Sequence, residues 1–429
     1  MNRKEFIKLS ACAAAACAWE WDGKAATAGD EIVKHDAPER NRRPYKGVDW
    51  SNAIQIRTTT HGHCDSQNMF DAYMKRGFEF LTVSNYYPSA PRYPLNEFHQ
   101  WDYRVKHDFP VMVKGKRVDG PFDWNKIIEP FKDEIEEAYK KQYPFTRGKK
   151  ILDKNPKPSH VLEAPNAEHH CFYDENNKKI VRGLHMCSPG SMFCSGTFDA
   201  RNRFRTHGKG WCFGSGEPWT ISVDRMIAGL IDPKGGGVTI NHPRWSKFEL
   251  DYPVRLLDHD PRILGMEVIN GNYRDEDYWD HALKTGRQCF GFFVPDWSLW
   301  PGCNVLLVKE RTVKACLRAY REGNFYGAVH GGRVKFTNLG YNGRKIEAAT
   351  DRPVKFELIS AQGTVAESTG KEFSFKVPAS AQSHVYFRLR ARLVDDKGNV
   401  LPDTFLNDKG RMVPEKTEGD TLFGQPFMV

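Results

Sequence analysis

The most constraining feature of the chain is a histidine pair between a predicted strand and a predicted helix. Residues 53–60 alternate small or apolar side chains with polar ones, which is typical of a half-buried strand. His61 and His63 follow at once, and from Ser66 apolar residues recur at helical spacing until Gly77. Because side chains alternate along an extended backbone, the two imidazoles share one side and suit one metal ion. Alone the pair is a weak signal, since most such pairs are solvated loop residues.

Size and composition predict a folded protein of two domains. The chain has 429 residues, against about 100 to 200 per domain. Its 40% hydrophobic content, with 11 Trp, 16 Tyr and 27 Phe, excludes intrinsic disorder. No apolar run approaches the roughly 18 residues that a transmembrane helix needs.

The net charge of +9 is spread along the chain, apart from a basic stretch at residues 140–160. This stretch could attract an anionic substrate, or it could be a solvated face. No nucleic-acid-binding motif accompanies it, so we expect no nucleic-acid partner.

Residues 1–28 have the features of an export signal. Basic residues at positions 3, 4 and 8 precede the apolar run 9–19, and small residues at 25–28 offer a cleavage site. Residues 2–8 resemble a twin-arginine signal, although Lys4 stands where the second arginine belongs. We therefore expect a periplasmic or extracellular protein, against the alternative of an N-terminal helix in a cytosolic one. Export would place the remaining eight cysteines in an oxidising compartment, with their pairing left open.

Strand and helix patterns alternate along the middle of the chain. Strands are predicted at 78–83, 237–240, 264–269 and 290–294, and helices at 222–231 (capped by Ser222), 275–285 and 312–322. This order predicts a parallel α/β core. Residues 91–165 interrupt the order and form either a cap over a site or a plain insertion. Residues 335–429 change to short strand-like alternation, which predicts a small all-β, sandwich-like domain without a chemical signature.

Polar residues collect where the predicted strands end. They are His61, His63, Asn85, His242, Asn270 and Asp296. The carboxyl ends of parallel strands share one face of a barrel or sheet, where such folds place their chemistry. Glu168 and His185 lie in a further polar segment and add a carboxylate and an imidazole. The pattern therefore predicts one site at that face.

With these residues assembled, the chain resembles a PHP-domain (polymerase and histidinol phosphatase) metallohydrolase, closest to the exported carbaryl-hydrolase-like branch. The similarity runs from about residue 50 to 330. It rests on His61-Gly62-His63, Glu168, His185, the His242-Pro243 motif with its strand, the segment 265–271 and Asp296. The resemblance implies a distorted seven-stranded βα barrel over residues 45–333, with up to three zinc, manganese or iron ions.

Two motifs depart from the family pattern. Val83-Ser84-Asn85 stands where the family has Thr-Asp-His, and Val294-Pro295-Asp296-Trp297-Ser298 where it has Gly-Ser-Asp-x-His. Both missing histidines largely serve one metal position of the family. The resemblance therefore implies that one metal is lost and a dinuclear or mononuclear site is kept, with His61, His63, Glu168, His185, His242 and Asp296 as ligands and Glu168 bridging where two ions are bound.

Such a site predicts an exported hydrolase that uses metal-activated water on a phosphoester or on a carboxylic ester or amide. The catalytic set would be His61, His63, Glu168, His242 and Asp296. Weaker candidates for substrate contact are Asn85, Tyr86, Arg104 and His170. The substrate would be a small molecule or oligosaccharide.

Two other functions stay open at the level of sequence. One is a metalloenzyme acting on acidic glycans, because exposed aromatic side chains pack on sugar rings while cations hold carboxylate or sulfate. The other is a degenerate, non-catalytic binding protein. The sequence determines neither the substrate, the metal nor the oligomeric state.

Overall fold

The computed structural model describes residues 42–85, 95–97, 111–113, 116–118, 150–177, 179–193, 218–297, 302–404, 413 and 416–429. The predicted export signal at 1–28 and most of the predicted cap at 91–165 lie outside these residues. None of the helices in the described ranges is long and apolar enough to cross a membrane.

The N-terminal and central elements alternate strands and helices. In chain order they are β1 Ile54–Thr59, α1 Gln67–Lys75, β2 Phe80–Leu81, β3 Val111–Val113, β4 Lys116–Val118, β5 Leu162–Glu163, β6 Glu168–Asp174, β7 Lys179–Cys187, α2 Trp219–Ala228, β8 Val238–Ile240, α3 Asp251–Leu257, β9 Ile263–Asn270, β10 Tyr273–Arg274, α4 Glu276–Lys284, β11 Phe290–Val294, β12 Cys303–Val308, α5 Val313–Glu322 and β13 Phe325–Ala328. The C-terminal elements are strands, apart from a short 3-10 helix at Ala381–His384: β14 Phe336–Tyr341, β15 Lys345–Ser360, β16 Gly363–Lys376, β17 Tyr386–Leu393, β18 Thr421–Phe423 and β19 Phe427–Met428.

Helix boundaries follow local capping chemistry in most places. The Ser66 side chain accepts a hydrogen bond from the backbone N–H of Met69 and caps α1. Thr312 caps α5 in the same way, and Gly323 ends that helix in the left-handed conformation. The prediction that Ser222 caps α2 was wrong by about one turn. The helix begins after Pro218, whose fixed φ favours a helix start, and Ser222 is buried inside the helix.

The sheets are mixed, so the prediction of a parallel core was only partly right. Strands β1, β2 and β5 run parallel to one another, as do β8, β9 and β11. Strand β12, however, pairs antiparallel with β1, and β7 runs antiparallel to both β6 and β8. The structure therefore shows a mixed α/β fold, and the seven-stranded barrel stays a prediction.

Contacts at strand ends join the two large sheets beside the candidate site. Gly62, just after β1, forms a parallel bridge with Asp296, just after β11. On the other side, the backbone N–H of Glu168 at the start of β6 donates to the Ser84 carbonyl at 2.9 Å. Polar residues that follow separate strands are therefore brought to one place.

The C-terminal strands continue the first sheet. The eleven strands of that sheet run in the order β14-β15-β17-β18-β13-β12-β1-β2-β5, with β16 on β15 and β19 on β17. The all-β character predicted for residues 335–429 is confirmed in their described part. Its separation as a sandwich-like domain remains a prediction, since β18 pairs directly with β13.

Apolar packing supports the strands that carry the site. One buried cluster includes Ile56, Phe80, Phe292, Leu306 and Tyr320, from β1, β2, β11, β12 and α5. Apolar packing thereby supports the strands, and polar residues of the site follow the carboxyl ends of β1 and β11.

Five cysteines whose side chains the structure describes are buried thiols. They are Cys64, Cys187, Cys289, Cys303 and Cys316. None of these five is in a disulfide, and Cys64 is a small buried residue rather than a group exposed at the site.

Candidate metal centre

The histidine pair is held rigidly at the end of β1. His61 and His63 are almost completely buried, and the Tyr73 hydroxyl of α1 donates to the His63 carbonyl at 2.9 Å. A Cβ added at Gly62 would lie 2.6 Å from that hydroxyl oxygen, which is closer than real Cβ contacts allow. The glycine between the histidines is therefore needed for close packing of the site loop on α1.

All six predicted ligands lie at one place. His61 and His63 follow β1, Glu168 begins β6 and His185 lies near the end of β7. His242 and Asp296 are each the second residue after a strand, β8 and β11 respectively. Neighbouring members of the set approach one another to between 2.7 and 3.6 Å. The convergence expected from the strand ends is what the structure shows.

Two imidazole nitrogens and two carboxylate oxygens lie close together at a place that we call the first metal position. The Nε2 atom of His61 lies 3.3 Å from Glu168 Oε2 and 3.2 Å from Asp296 Oδ1. The corresponding distances from His63 Nε2 are 3.1 and 3.3 Å. Bonds of about 2.0–2.1 Å to a tetrahedral ion place its ligand atoms about 3.3 Å apart. The four nitrogen–oxygen distances are therefore compatible with ligands that share one ion.

The other carboxylate oxygen of Glu168 faces a second group, which we call the second metal position. Its Oε1 atom lies 2.7 Å from His185 Nδ1 and 3.6 Å from His242 Nε2. His61, Glu168 and His242 also place one ligand atom each within 4.8 Å of one another. A carboxylate with one oxygen on each side has the arrangement of a bridging ligand.

The electrostatics of the cluster favour a bound cation. Burial by itself would lower the pKa of His61, but Asp296 and the neighbouring carboxylates outweigh it and raise that pKa well above its ordinary value. The same competition, with hydrogen bonds to Asp296 and Glu168, raises the pKa of His63. Conversely, His61 holds the pKa values of Glu168 and Asp296 well below their ordinary range, against the effect of burial. The buried carboxylates thus stay charged and attract positive charge.

Unpaired ligand atoms support the assignment to a metal. Within the described residues, His61 Nε2 and Asp296 Oδ1 are buried and have no hydrogen-bond partner of acceptable geometry. Buried polar atoms without partners are uncommon and require an explanation. Imidazole nitrogens together with carboxylate oxygens are donors that zinc, manganese and iron accept. The residues present therefore fit a divalent ion.

Glu267 is a functional candidate that the sequence analysis missed. This completely buried carboxylate lies 2.8 Å from His61 Nδ1 and accepts hydrogen bonds from the His242 backbone N–H and the Asn270 side chain, both at 2.8 Å. When His61 Nδ1 donates to Glu267, the lone pair of Nε2 is directed to the first metal position. The acidic residue within an otherwise apolar strand, three positions before Asn270, was the available signal.

Two further contacts orient ligands. Asn270 donates to Asp296 Oδ2 at 3.0 Å, which directs the other oxygen to the histidines. Asn241 donates to Glu168 Oε1 at 3.4 Å. Backbone strain is present at the same place, since His242 and Asp296 both have positive φ, 29° and 54°. Such conformations cost energy and cluster at functional sites.

Of the four weaker candidates for substrate contact, the structure describes the side chain of Asn85 alone. Asn85 is buried, and its amide accepts from the N–H of Cys64 and donates to the carbonyl of Cys64, so its predicted substrate contact is replaced by a structural role. Tyr86 and Arg104 lie outside the described residues. The backbone of His170 pairs with His185 in the β6–β7 ladder, and its side chain also lies outside the described part.

The fold and the site together define a mixed α/β protein with a buried histidine–carboxylate centre suited to divalent metal ions. No protein-family model matches the chain, and a search of curated proteins gives no match.

Among solved structures, the chain is similar to a two-domain protein from Bacteroides vulgatus described as containing a predicted PHP-like metal-dependent phosphoesterase. The TM-score is 0.37 with 11% identity, over 79% of this chain and 90% of that chain. Similarity at that TM-score does not support a conclusion about function, which is therefore inferred from the geometry of the site.

Proposed function

We propose that the protein is a metal-dependent hydrolase of PHP type, acting on a phosphoester or on a carboxylic ester or amide. The proposal is carried by the first metal position, where the Nε2 atoms of His61 and His63 each lie 3.1 to 3.3 Å from one oxygen of Glu168 and one of Asp296. Two divalent ions, zinc, manganese or iron, are the proposed cofactors.

In this proposal each side chain has a specific task. His61, His63, Glu168 and Asp296 hold the first ion, while Glu168, His185 and His242 hold the second. Burial lowers the pKa of His185, which keeps its imidazole neutral and available as a ligand at neutral pH. Glu267 and Asn270 fix the orientation of His61 and Asp296.

The site is buried but open at one side. The side chains of His61 and His63 are at most 1% exposed, whereas those of His185 and Asp296 are 12% and 19% exposed. A substrate would therefore approach past His185 and Asp296. A divalent ion held there supplies a Lewis acid for the substrate oxygen and lowers the pKa of a water nucleophile.

We also propose that residues 45–333 form the metal-binding domain and residues 335–429 a β domain attached through the shared sheet. Residues 91–165 would contribute a cap or an insertion. Residues 1–28 would direct export, in keeping with their basic and apolar composition.

The experiment is a metal count joined to a substrate screen. Purified full-length protein is analysed for bound metal, stripped with chelator, reloaded with zinc, manganese or iron(II), and assayed on phosphate mono- and diesters, carboxylic esters, carbamates and amides. We expect about two ions per chain, and turnover that is lost with the chelator and restored by one of the metals.

Matched variants make the test specific. His61→Ala and Asp296→Asn should lose metal and turnover, whereas His281→Ala should keep both, because His281 pairs with Asp251 on the protein surface. Protein that binds no metal, or that turns over no ester or amide with any of the three, would overturn the proposal.

A further inference from the structure

Two half-exposed tryptophans lie beside the histidines of the metal centre. The Trp297 ring stacks on His63, with centroids 4.1 Å apart and an interplanar angle of 13°. Trp245 lies against the other side, with its ring 4.7 Å from that of His242 and 5.4 Å from that of His185. One tryptophan thus contacts each metal position.

The exposure of these side chains is unusual for their size. Both are 48% exposed, the highest value among the exposed large apolar side chains in the described ranges, which are Ile221, Ile231, Trp245, Leu250, Tyr273 and Trp297. Single exposed apolar residues need no explanation. Two indoles against the ligands of one buried polar centre form a local apolar surface, which is a common mark of ligand recognition.

Both tryptophans are positioned by the same turns that position the ligands. Trp297 directly follows Asp296, whose φ is positive, and Trp245 lies in the turn after His242, whose φ is also positive. That turn is closed by hydrogen bonds from the Ser246 N–H to the His242 carbonyl at 3.0 Å and from the Phe248 N–H to the Pro243 carbonyl at 3.2 Å. These turns therefore place both indoles against residues of the two proposed metal positions.

We propose that Trp245 and Trp297 are specificity-determining residues that bind an aryl or sugar ring of the substrate, next to the bond that is cleaved. This inference rests on the proposed hydrolase function and names its substrate class. An aryl group or a sugar ring would lay its face on an indole, since both combine apolar area with C–H or π contacts to an aromatic surface. Substrates with only a small alkyl substituent would lack this contact.

The test compares non-hydrolysable ligands that differ only in the ring. Binding of phenylphosphonate, a glucosyl C-phosphonate and methylphosphonate to the metal-loaded full-length protein is measured by calorimetry. We expect at least one ring-bearing ligand to bind about tenfold more tightly than methylphosphonate. Preference for the phenyl or the glucosyl ligand then distinguishes an aryl from a sugar substrate.

Variants assign the preference to the tryptophans. Trp245→Ala and Trp297→Ala should each reduce the ring preference severalfold and leave methylphosphonate binding within about twofold. Trp→Phe at either position should retain most of it, and Trp→Leu, which is apolar but has no ring, should not. Ile231→Ala removes an equally isolated exposed apolar side chain and should have no effect.

The outcomes separate this inference from the proposed function. Protein that takes up no metal would overturn both. Protein that takes up metal but shows no ring preference, or keeps its preference in both Ala and both Leu variants, would overturn this inference alone. Where an Ala variant fails to fold, the Phe and Leu pair at the same position decides the question.

Discussion

Two clusters of buried or half-buried charged side chains in this protein differ in their charge balance. One has as many guanidinium groups as carboxylates, and the other, within the part of the chain that the structure describes, has carboxylates without a permanently charged basic partner. The arginine cluster, where β15 and β17 meet α4, has three guanidinium groups for three carboxylates: Arg388, Arg390 and Arg392 with Glu276, Asp280 and Glu357. The metal cluster has three carboxylates, those of Glu168, Glu267 and Asp296, and their ion-pair partners in the described residues are imidazoles.

The difference separates a structural charge cluster from a functional one. In the arginine cluster, Arg388 contacts both oxygens of Asp280 at 2.7 and 2.8 Å, so each charge has a permanent partner. In the metal cluster the positive charge must come from protons on histidines or from a bound ion. A buried site with surplus carboxylate is costly to keep, and a resident cation offsets that cost.

The largest expected effect comes from neutralising the carboxylate shared by both metal positions. Glu168→Gln should reduce metal uptake and turnover to background, because one oxygen of Glu168 faces each position. Metal-free protein should lose stability, because the lowered pKa of Glu168 reflects the pairing of its charge with His61, and the substitution leaves that buried imidazolium without this partner. Elemental analysis and thermal unfolding with and without metal measure the two effects. Full metal occupancy in this variant would contradict the bridging role.

In the arginine cluster, loss of one charged side chain should lower the stability of the protein and leave metal uptake unchanged. Arg388→Met leaves the Asp280 carboxylate without its bidentate partner and should lower the free energy of unfolding by about 3 kcal/mol. The matched control, Arg287→Met, breaks an exposed ion pair with Asp258 and should cost less than about 1 kcal/mol. Denaturant titration measures the free energy of unfolding of both variants. Equal losses in the two variants would contradict the structural role of the arginine cluster.

Glu267 should influence metal affinity through His61. Glu267→Gln keeps the shape of the side chain but removes the charge that orients the imidazole, so metal affinity should fall about 10- to 100-fold. The exposed Glu249→Gln should leave the affinity unchanged. Competition with a fluorescent chelator measures both, and the nitrogen NMR shifts of His61 report the tautomer directly. An unchanged tautomer and affinity would contradict the positioning role.

The smallest predicted effect is a dependence on pH that differs between metal-bound and metal-free protein. The raised pKa values of His61 and His63 mean that their protonated forms stabilise the metal-free fold below their unfolded pKa. This contribution is lost as pH rises through the raised folded pKa. Metal binding displaces the same protons, so affinity should rise with pH.

Thermal unfolding at pH 6, 7 and 8 therefore should show a metal-induced increase in Tm that grows with pH. Calorimetry in buffers of different ionisation enthalpy should detect released protons. In His61→Ala, the metal-induced increase in Tm should depend less on pH. An increase in Tm that shrinks as pH rises would contradict the sign of this coupling.

Local patterns predicted much of the fold because they act within a few residues. The strand β1, the Ser66 cap of α1 and the bounds of β11 and α5 all follow from side-chain periodicity and capping groups. The start of α2 was missed because two capping signals, Pro218 and Ser222, lie four residues apart. Strands β7 and β12 were not predicted, and their antiparallel pairing was missed with them, since periodicity carries no information about the partner strand.

The sequence by itself predicted which side chains could form a metal centre, because His61, His63, His242 and Asp296 follow predicted strands and Glu168 and His185 lie in a further polar segment. Only the tertiary structure decided that Glu168 faces two groups, that Glu267 orients His61, and that Asn85 serves its own backbone. The physical reason is that periodicity acts over one or two turns of chain. The distances between ligand atoms, by contrast, depend on how strands more than 200 residues apart, such as β1 and β11, are paired.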